Sequence, residues 1–70
     1  MAMLLEIAVR KVRKPMATIL LIDHDESERV ALQVALEAAG HHVLSAANGR
    51  EGLSLMHDQV VDLILMDVLT

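Results

Sequence analysis

The sequence predicts an α/β protein: a doubly wound parallel sheet reduced to a βαβαβ unit. Three observations lead there. Two short apolar runs, ATILLID at 17–23 and VDLILMD at 61–67, contain β-branched residues and are shorter than a buried helix. That length and composition suit strands covered on both faces. Between them lie two stretches whose apolar residues recur at helical spacing, each opened by a capping residue. Strands alternating with helices of this length imply parallel pairing through right-handed crossovers.

The totals bound the answer. Seventy residues make one domain at most, and a chain of that size buries only about 60% of its unfolded surface, so its stability is marginal. With 54% hydrophobic and 23% charged residues the composition is globular. There is no Phe, Tyr or Trp, so the core must come from Leu, Ile, Val, Met and Ala. The absence of Cys excludes disulfides and thiolate metal sites, and suits a reducing, cytoplasmic setting. The net charge of −4 is uneven: Arg10, Lys11, Arg13 and Lys14 supply four of the six basic residues. From Met16 onward two basic residues face nine acids, which disfavours nucleic acid as a direct partner. No apolar run approaches the roughly 18–20 residues that span a bilayer, so no membrane association is expected. The apolar start precedes the basic cluster, the reverse of a secretory signal.

Each element has its own signature. Residues 1–15, MAMLLEIAVRKVRKP, read as an N-terminal extension distinct from a partial domain at 16–70. A short helix with Leu5, Ala8, Val9 and Val12 on one face, ended by Pro15, is one expectation; such a helix would pack on a partner or a membrane surface. A loosely ordered leader, or an upstream Met with the natural start at Met16, is another. ATILLID is the first strand of the domain. DESERVALQVALEAAG (25–40) is a helix with capping-box spacing between Asp25 and Glu28 and an inward stripe of Ala31, Val34, Ala35 and Ala38, widened by Val30 and Leu32. Gly40 sits where a left-handed C-terminal residue belongs. HHVLSAA (41–47) is a second, less apolar strand suited to a sheet edge. NGREGLSLMHDQ (48–59) is a shorter helix, capped by Asn48 with Glu51 three residues on, directing Leu53, Met56 and Val60 inward. VDLILMD is the third strand.

The chemistry gathers at two strand tips, Asp23 and Asp67. In an open parallel α/β sheet, ligands bind beyond the C-terminal ends of the strands. If the first and third strands are neighbours, these carboxylates converge there, with His24 and Asp25 in the adjoining turn. Hard oxygen ligands suit Mg²⁺, which takes one or two carboxylates and keeps waters. A carboxylate beside such an ion can attack a phosphoryl group. Asp25 reads as a helix N-cap. His41, His42 and His57 read as exposed turn or helix-end residues, and the five Met residues as core filler or start codons. Ser45 and Ser54 have no base at useful spacing. Gly49 and Gly52 are accounted for by the start of the second helix, and no Gly-rich phosphate loop is present. A Mg²⁺-dependent phosphatase-like enzyme would match the spacing of Asp23 and Asp25, but the chain has no room for a substrate-binding segment.

The stretch from Thr18 to Thr70 resembles the first part of the receiver domain of two-component response regulators. ILLIDHDES with Arg29, LEAAGHHVLSAANGREGL and DLILMDVLT carry the likeness, in that order. The resemblance implies a flavodoxin-like fold with strand order 2-1-3, truncated here before strands 4 and 5. It implies that Asp67 accepts a phosphoryl group from a sensor histidine kinase or a phosphotransfer protein. Asp23 would help organise Mg²⁺, and Leu69 would offer the ion its backbone carbonyl. The chemistry would be self-phosphorylation rather than enzymatic turnover. Two departures stand out. His24 occupies the place of the family's second acid; an imidazole is a poorer Mg²⁺ ligand than a carboxylate, and its protonated form repels the ion. His24 could instead ligate a transition metal. The strands that bring the family's Ser/Thr and Lys are also absent, leaving the third strand with an exposed edge that invites a homodimer. The leading expectation is therefore a phosphorelay receiver. The alternative is a phosphorylation-impaired half-receiver, acting as a dimerising interaction module or representing a gene fragment.

Overall fold

A computed structural model describes residues 4–8 and 16–67, the first group as backbone only. In chain order the elements are β1 (Leu4–Ala8), β2 (Thr18–Ile22), α1 (Glu26–Ala38), β3 (His42–Ala46), α2 (Gly49–Met56) and β4 (Leu63–Asp67). They form one four-stranded sheet in the order β1-β4-β2-β3. β2 pairs in parallel with both β3 and β4, placing Ile22 opposite Ala46 on one side and Met66 on the other. The three parallel strands thus have the 2-1-3 order expected of the βαβαβ unit.

β2 is central, and its sequence shows why. Ile19, Leu20 and Leu21 are each at most 2% exposed, so side chains pointing to either face are covered. Leu20 and Ile22 join Ala46 and Val61 in the core, with Leu44, Leu55, Met56, Ile64 and Met66 packed against them. The α1 crossover runs outward from β2 to β3 and the α2 crossover runs back from β3 past β2 to β4; being right-handed, these opposite directions set α1 and α2 on opposite faces.

Both helices begin where the sequence predicts. Asp25 caps α1 by accepting the Glu28 N–H at 3.3 Å, and Asn48 caps α2 by accepting the Glu51 N–H at 2.9 Å. Gly40 takes φ +97° after α1, a conformation that glycine adopts without strain. The helix faces differ from expectation. α1 has no fully buried residue; Arg29, Leu32, Gln33 and Leu36 are half-buried, while Val30, Ala31, Val34, Ala35 and Ala38 are exposed. The small residues suggested one stripe, but the two leucines set the inward face because they bury more apolar area per residue. Leu53 and Val60 are likewise exposed, leaving Met56 as the half-buried member of their trio. α2 approaches the sheet through Gly52 instead: a Cβ there would lie 2.8 Å from Ile22 Cδ1.

β1 is the main correction to the sequence reading. Leu4–Ala8 forms a strand, not a helix, and pairs antiparallel with β4, Leu4 opposite Asp67 and Ala8 opposite Leu63. The edge of β4 expected to be exposed, and to drive a homodimer, is therefore taken by the chain's own N-terminal segment. Apolar residues at 4, 5, 7 and 8 are compatible with either period, and a ladder partner decides for the strand. The expectation that Pro15 ends a helix and the basic cluster at 10–14 lie outside the described residues. Among the described residues, no helix is long and apolar enough to cross a membrane.

Candidate functional site

The site grows from the tips of two adjacent parallel strands. Asp23 follows β2 directly, and its N–H extends the ladder by donating to the Ala46 carbonyl at 3.0 Å. Asp67 is the last residue of β4. The in-register pairing of Ile22 with Met66 brings both acids to the same rim of the sheet. Asp23 is 1% exposed and the Asp67 side chain 2%. Two carboxylates this well buried beside each other need compensating partners.

The turn after β2 is held by a relay of hydrogen bonds. Asp23 Oδ1 accepts the Asp25 N–H at 2.9 Å, and Asp25 Oδ1 in turn caps Glu28. Arg29 reaches back from α1, its Nη1 donating to the Asp23 carbonyl at 2.7 Å. His24 projects outward between these anchors, 68% exposed, with Nδ1 3.7 Å from Asp67 Oδ2. Asp23 Oδ2 is buried and has no hydrogen-bond partner among the described residues.

Asp23, His24 and Asp67 each offer a ligand atom, and these atoms lie within 4.8 Å of one another. This donor set fits a divalent cation: two hard carboxylates suit Mg²⁺, and the imidazole also admits a transition metal. The buried Asp23 Oδ2, lacking a donor, is the kind of oxygen such an ion satisfies. Of the residues predicted for the site, Asp23, His24 and Asp67 come together, Asp25 serves as the helix cap, and Leu69 lies outside the described residues.

The sequence reading missed four contributions. Glu28 was seen as the second half of a capping box, in which it would reach back to the Asp25 N–H. Asp23 holds that N–H instead, through its Oδ1. Partial desolvation, then repulsion from Asp23, Asp67 and Asp25, holds the Glu28 carboxyl above the ordinary Glu range. Arg29 lies on α1 one turn beyond the loop it braces. At the opposite rim Asp62, 1% exposed, accepts the Thr18 N–H on Oδ2 at 2.9 Å, while its own N–H donates to the Thr18 carbonyl at 2.8 Å. His41 is half-buried rather than exposed, its Nδ1 accepting the Ala17 N–H at 3.1 Å. His42 and His57 are exposed, as expected.

Curated relatives share this segment. The chain is 44% identical over 54 residues to the transcriptional regulatory protein AfsQ1 of Streptomyces coelicolor, covering 77% of this chain and 24% of that protein. It is 42% identical over 53 residues to the protein PilH of Pseudomonas aeruginosa, 76% of this chain and 44% of that one. It is also 40% identical over 50 residues to the CAI-1 autoinducer sensor kinase/phosphatase CqsS of Vibrio cholerae, 71% of this chain and 7% of that protein. The chain thus spans less than half the length of each of these relatives. No protein-family model and no solved structure matches it. The ordered strands, the acid-tipped rim and these similarities together are consistent with the first part of a receiver domain of two-component response regulators.

Proposed function

We propose that the chain works in phosphorelay signalling as a receiver segment whose Asp67 accepts a phosphoryl group, with Mg²⁺ assistance. The observation that carries the reading is the convergence of Asp23, His24 and Asp67 donor atoms within 4.8 Å at the C-terminal rim of two neighbouring parallel strands. The donor would be the phosphohistidine of a sensor histidine kinase or a phosphotransfer protein. A carboxylate oxygen of Asp67 attacks phosphorus; the new P–O bond forms as the P–N bond breaks, and the electron pair leaves on the imidazole nitrogen, which takes up a proton. Asp67 and Asp23 present negative charge to an anionic donor, so transfer needs a counter-charge; a bound Mg²⁺ supplies it. Asp23 holds the turn through its Oδ1 and leaves Oδ2 for the ion. Arg29 keeps the Asp23 backbone in place.

This role is self-modification rather than turnover. The absence of Cys and the acidic composition from Met16 onward support a cytoplasmic module that does not itself contact nucleic acid. A dimerising half-receiver would have His24 in its favour, but β1 already occupies the β4 edge that such a dimer would use.

The test is incubation with acetyl phosphate and Mg²⁺, followed by intact-mass measurement. The expected result is a gain of one phosphoryl group in the wild type and none in Asp67→Asn. No gain in the wild type, or an equal gain in Asp67→Asn, would overturn the proposal.

A further inference from the structure

We infer that His24 is a metal ligand, and that with Asp23 and Asp67 it makes this rim a seat for a nitrogen-accepting transition-metal ion, of the class of Co²⁺, Ni²⁺ and Zn²⁺, in preference to Mg²⁺. The inference rests on the reading of Asp23 and Asp67 as the seat of a divalent cation, and concerns which ion that seat favours.

The loop fixes the backbone on both sides of His24 and leaves its side chain free. Before it, the Asp23 N–H donates to the Ala46 carbonyl at 3.0 Å, and the Asp23 carbonyl accepts Arg29 Nη1 at 2.7 Å. After it, the Asp25 N–H donates to Asp23 Oδ1 at 2.9 Å. The imidazole is 68% exposed, yet its Nδ1 lies 3.7 Å from Asp67 Oδ2. That separation is too long for a hydrogen bond. It is close to the spacing of two ligands on one ion: bonds of about 2.0–2.1 Å set neighbouring donor atoms about 3.0–3.4 Å apart and opposite ones about 4.2 Å apart. Donor atoms of Asp23, His24 and Asp67 all fall within 4.8 Å of one another. Among the described residues, His41, His42 and His57 belong to no such group.

Asp23 supplies the independent sign of a ligand. Its Oδ2 is buried, without a hydrogen-bond partner among the described residues, in a residue 1% exposed. The other oxygen, Oδ1, is committed to the Asp25 N–H, so Oδ2 is the atom open to an ion. A solvated loop histidine beside it would leave that buried oxygen unexplained; a bound cation satisfies it.

The chemistry of the donor set decides the ion. Mg²⁺ prefers oxygen in near-octahedral geometry and gives up its waters reluctantly, so trading a water for an imidazole gains it little. Co²⁺, Ni²⁺ and Zn²⁺ gain from the same exchange, because imidazole suits such ions and they rank high in affinity for mixed nitrogen and oxygen sites. One imidazole with two carboxylates also makes three protein ligands, a number that leaves positions open, as catalytic metal sites do and structural ones do not.

The test compares two ions on one seat. Wild type, His24→Gln, His24→Asp, His42→Gln and Asp23→Asn, each checked for folding by circular dichroism, are titrated with Co²⁺ and with Mg²⁺ by calorimetry. Proton NMR of the Co²⁺-loaded protein reads the imidazole directly, because the unpaired electrons displace the ring protons of a ligating histidine far outside the ordinary spectrum. The wild type is expected to bind Co²⁺ more tightly than Mg²⁺ and to show these displaced resonances. His24→Gln should lose them, with Co²⁺ affinity lower by at least about 10- to 100-fold, the loss that even an outer partner of a metal site causes, and with Mg²⁺ affinity little changed. His24→Asp should reverse the preference. His42 is exposed and outside the site, so His42→Gln should behave as wild type. Unchanged Co²⁺ affinity in His24→Gln, with both ions lost in Asp23→Asn, would overturn the role of His24 and leave the cation seat standing. Tighter binding of Mg²⁺ than of Co²⁺ by the wild type would overturn it in the same way. An equal loss in His42→Gln would also overturn it, by reducing the effect to adventitious binding at exposed imidazoles. No binding of either ion by the wild type would overturn both the inference and the reading beneath it.

Discussion

His24 Nδ1 sits 3.7 Å from Asp67 Oδ2, an imidazole 68% exposed over a carboxylate side chain 2% exposed. The pair joins the residue most foreign to the receiver pattern with the one proposed to accept phosphate. On the proposed reading of this rim as a Mg²⁺ seat, the imidazole would offer one nitrogen to an ion that prefers oxygen, a poorer ligand than a carboxylate in this turn.

His24→Asp should therefore strengthen Mg²⁺ binding by about tenfold, the lower end of what well-placed partners of a metal site contribute. The same substitution should destabilise the metal-free protein, because it adds an acid to a rim that already holds Asp23, Asp67 and Glu28. Calorimetric Mg²⁺ titration, with urea unfolding in the presence of EDTA, checks both signs. Unchanged affinity would show that His24 does not limit the site.

Glu28 gives the metal-free protein a pH dependence of definite sign. Its pKa is raised on folding, so the folded state holds the Glu28 proton more tightly than the unfolded chain. Stability from this group is then greatest below the ordinary Glu value of 4.5 and is lost as pH rises through the higher folded value. Glu28→Gln removes the ionisation. In EDTA it should raise the urea midpoint at pH 7, with the gain shrinking toward zero as pH falls below that ordinary value. A gain independent of pH would point to helix propensity instead.

What the sequence made legible follows from how local each signal is. Asp25 and Asn48 were readable as caps because a cap needs only its own side chain and an N–H three residues on. The pairing of β2 with β4 was readable because alternation of strand and helix leaves few topologies. The rim formed by Asp23 and Asp67 follows from that pairing. Glu28 was hidden because Asp23 has already claimed the Asp25 N–H that a capping-box Glu would take, a competition that no spacing reveals. β1 was hidden because five apolar-rich residues carry no period of their own, and the edge that captures them lies some 60 positions away at Leu63–Asp67.

Asp62 tests whether the two rims of the sheet act separately. Its Oδ2 holds the Thr18 N–H at the start of β2, the end of the sheet opposite Asp23 and Asp67. Asp62→Ala leaves that N–H without its acceptor and should cost about 1–3 kcal/mol in urea unfolding. Mn²⁺ affinity, measured where the variant is folded, should stay at the wild-type value. A parallel loss of affinity would mean that the rim cannot be perturbed independently of the strand's far end.

Gly52 sets how closely α2 can approach the sheet, and two effects there oppose each other. A methyl group at this position would meet Ile22 Cδ1 at 2.8 Å, Ile22 Cγ1 at 3.2 Å and Leu20 Cδ2 at 3.4 Å. Against that, replacing a helical glycine with alanine gains about 1 kcal/mol of helix propensity. The nearest clash is with the far end of a flexible side chain, and Ile22 borders an apolar cavity of about 260 Å³ that Leu53, Met56, Ile64 and Met66 also line. Ile22 can turn its Cδ1 into that space, so Gly52→Ala should stay within about 1 kcal/mol of wild type. Gly52→Val adds two further methyls at a position where the Cβ alone already lies 3.2 Å from the less movable Ile22 Cγ1, and loses the propensity gain because a β-branched residue is stiff in a helix. Overpacking should then dominate, lowering stability by about 1–3 kcal/mol. Because Ile22 is the residue before Asp23, the displaced strand should also weaken Mn²⁺ binding in Gly52→Val and not in Gly52→Ala. If Gly52→Ala proved as unstable as Gly52→Val, Ile22 would be held rigidly and the cavity beside it would provide no relief.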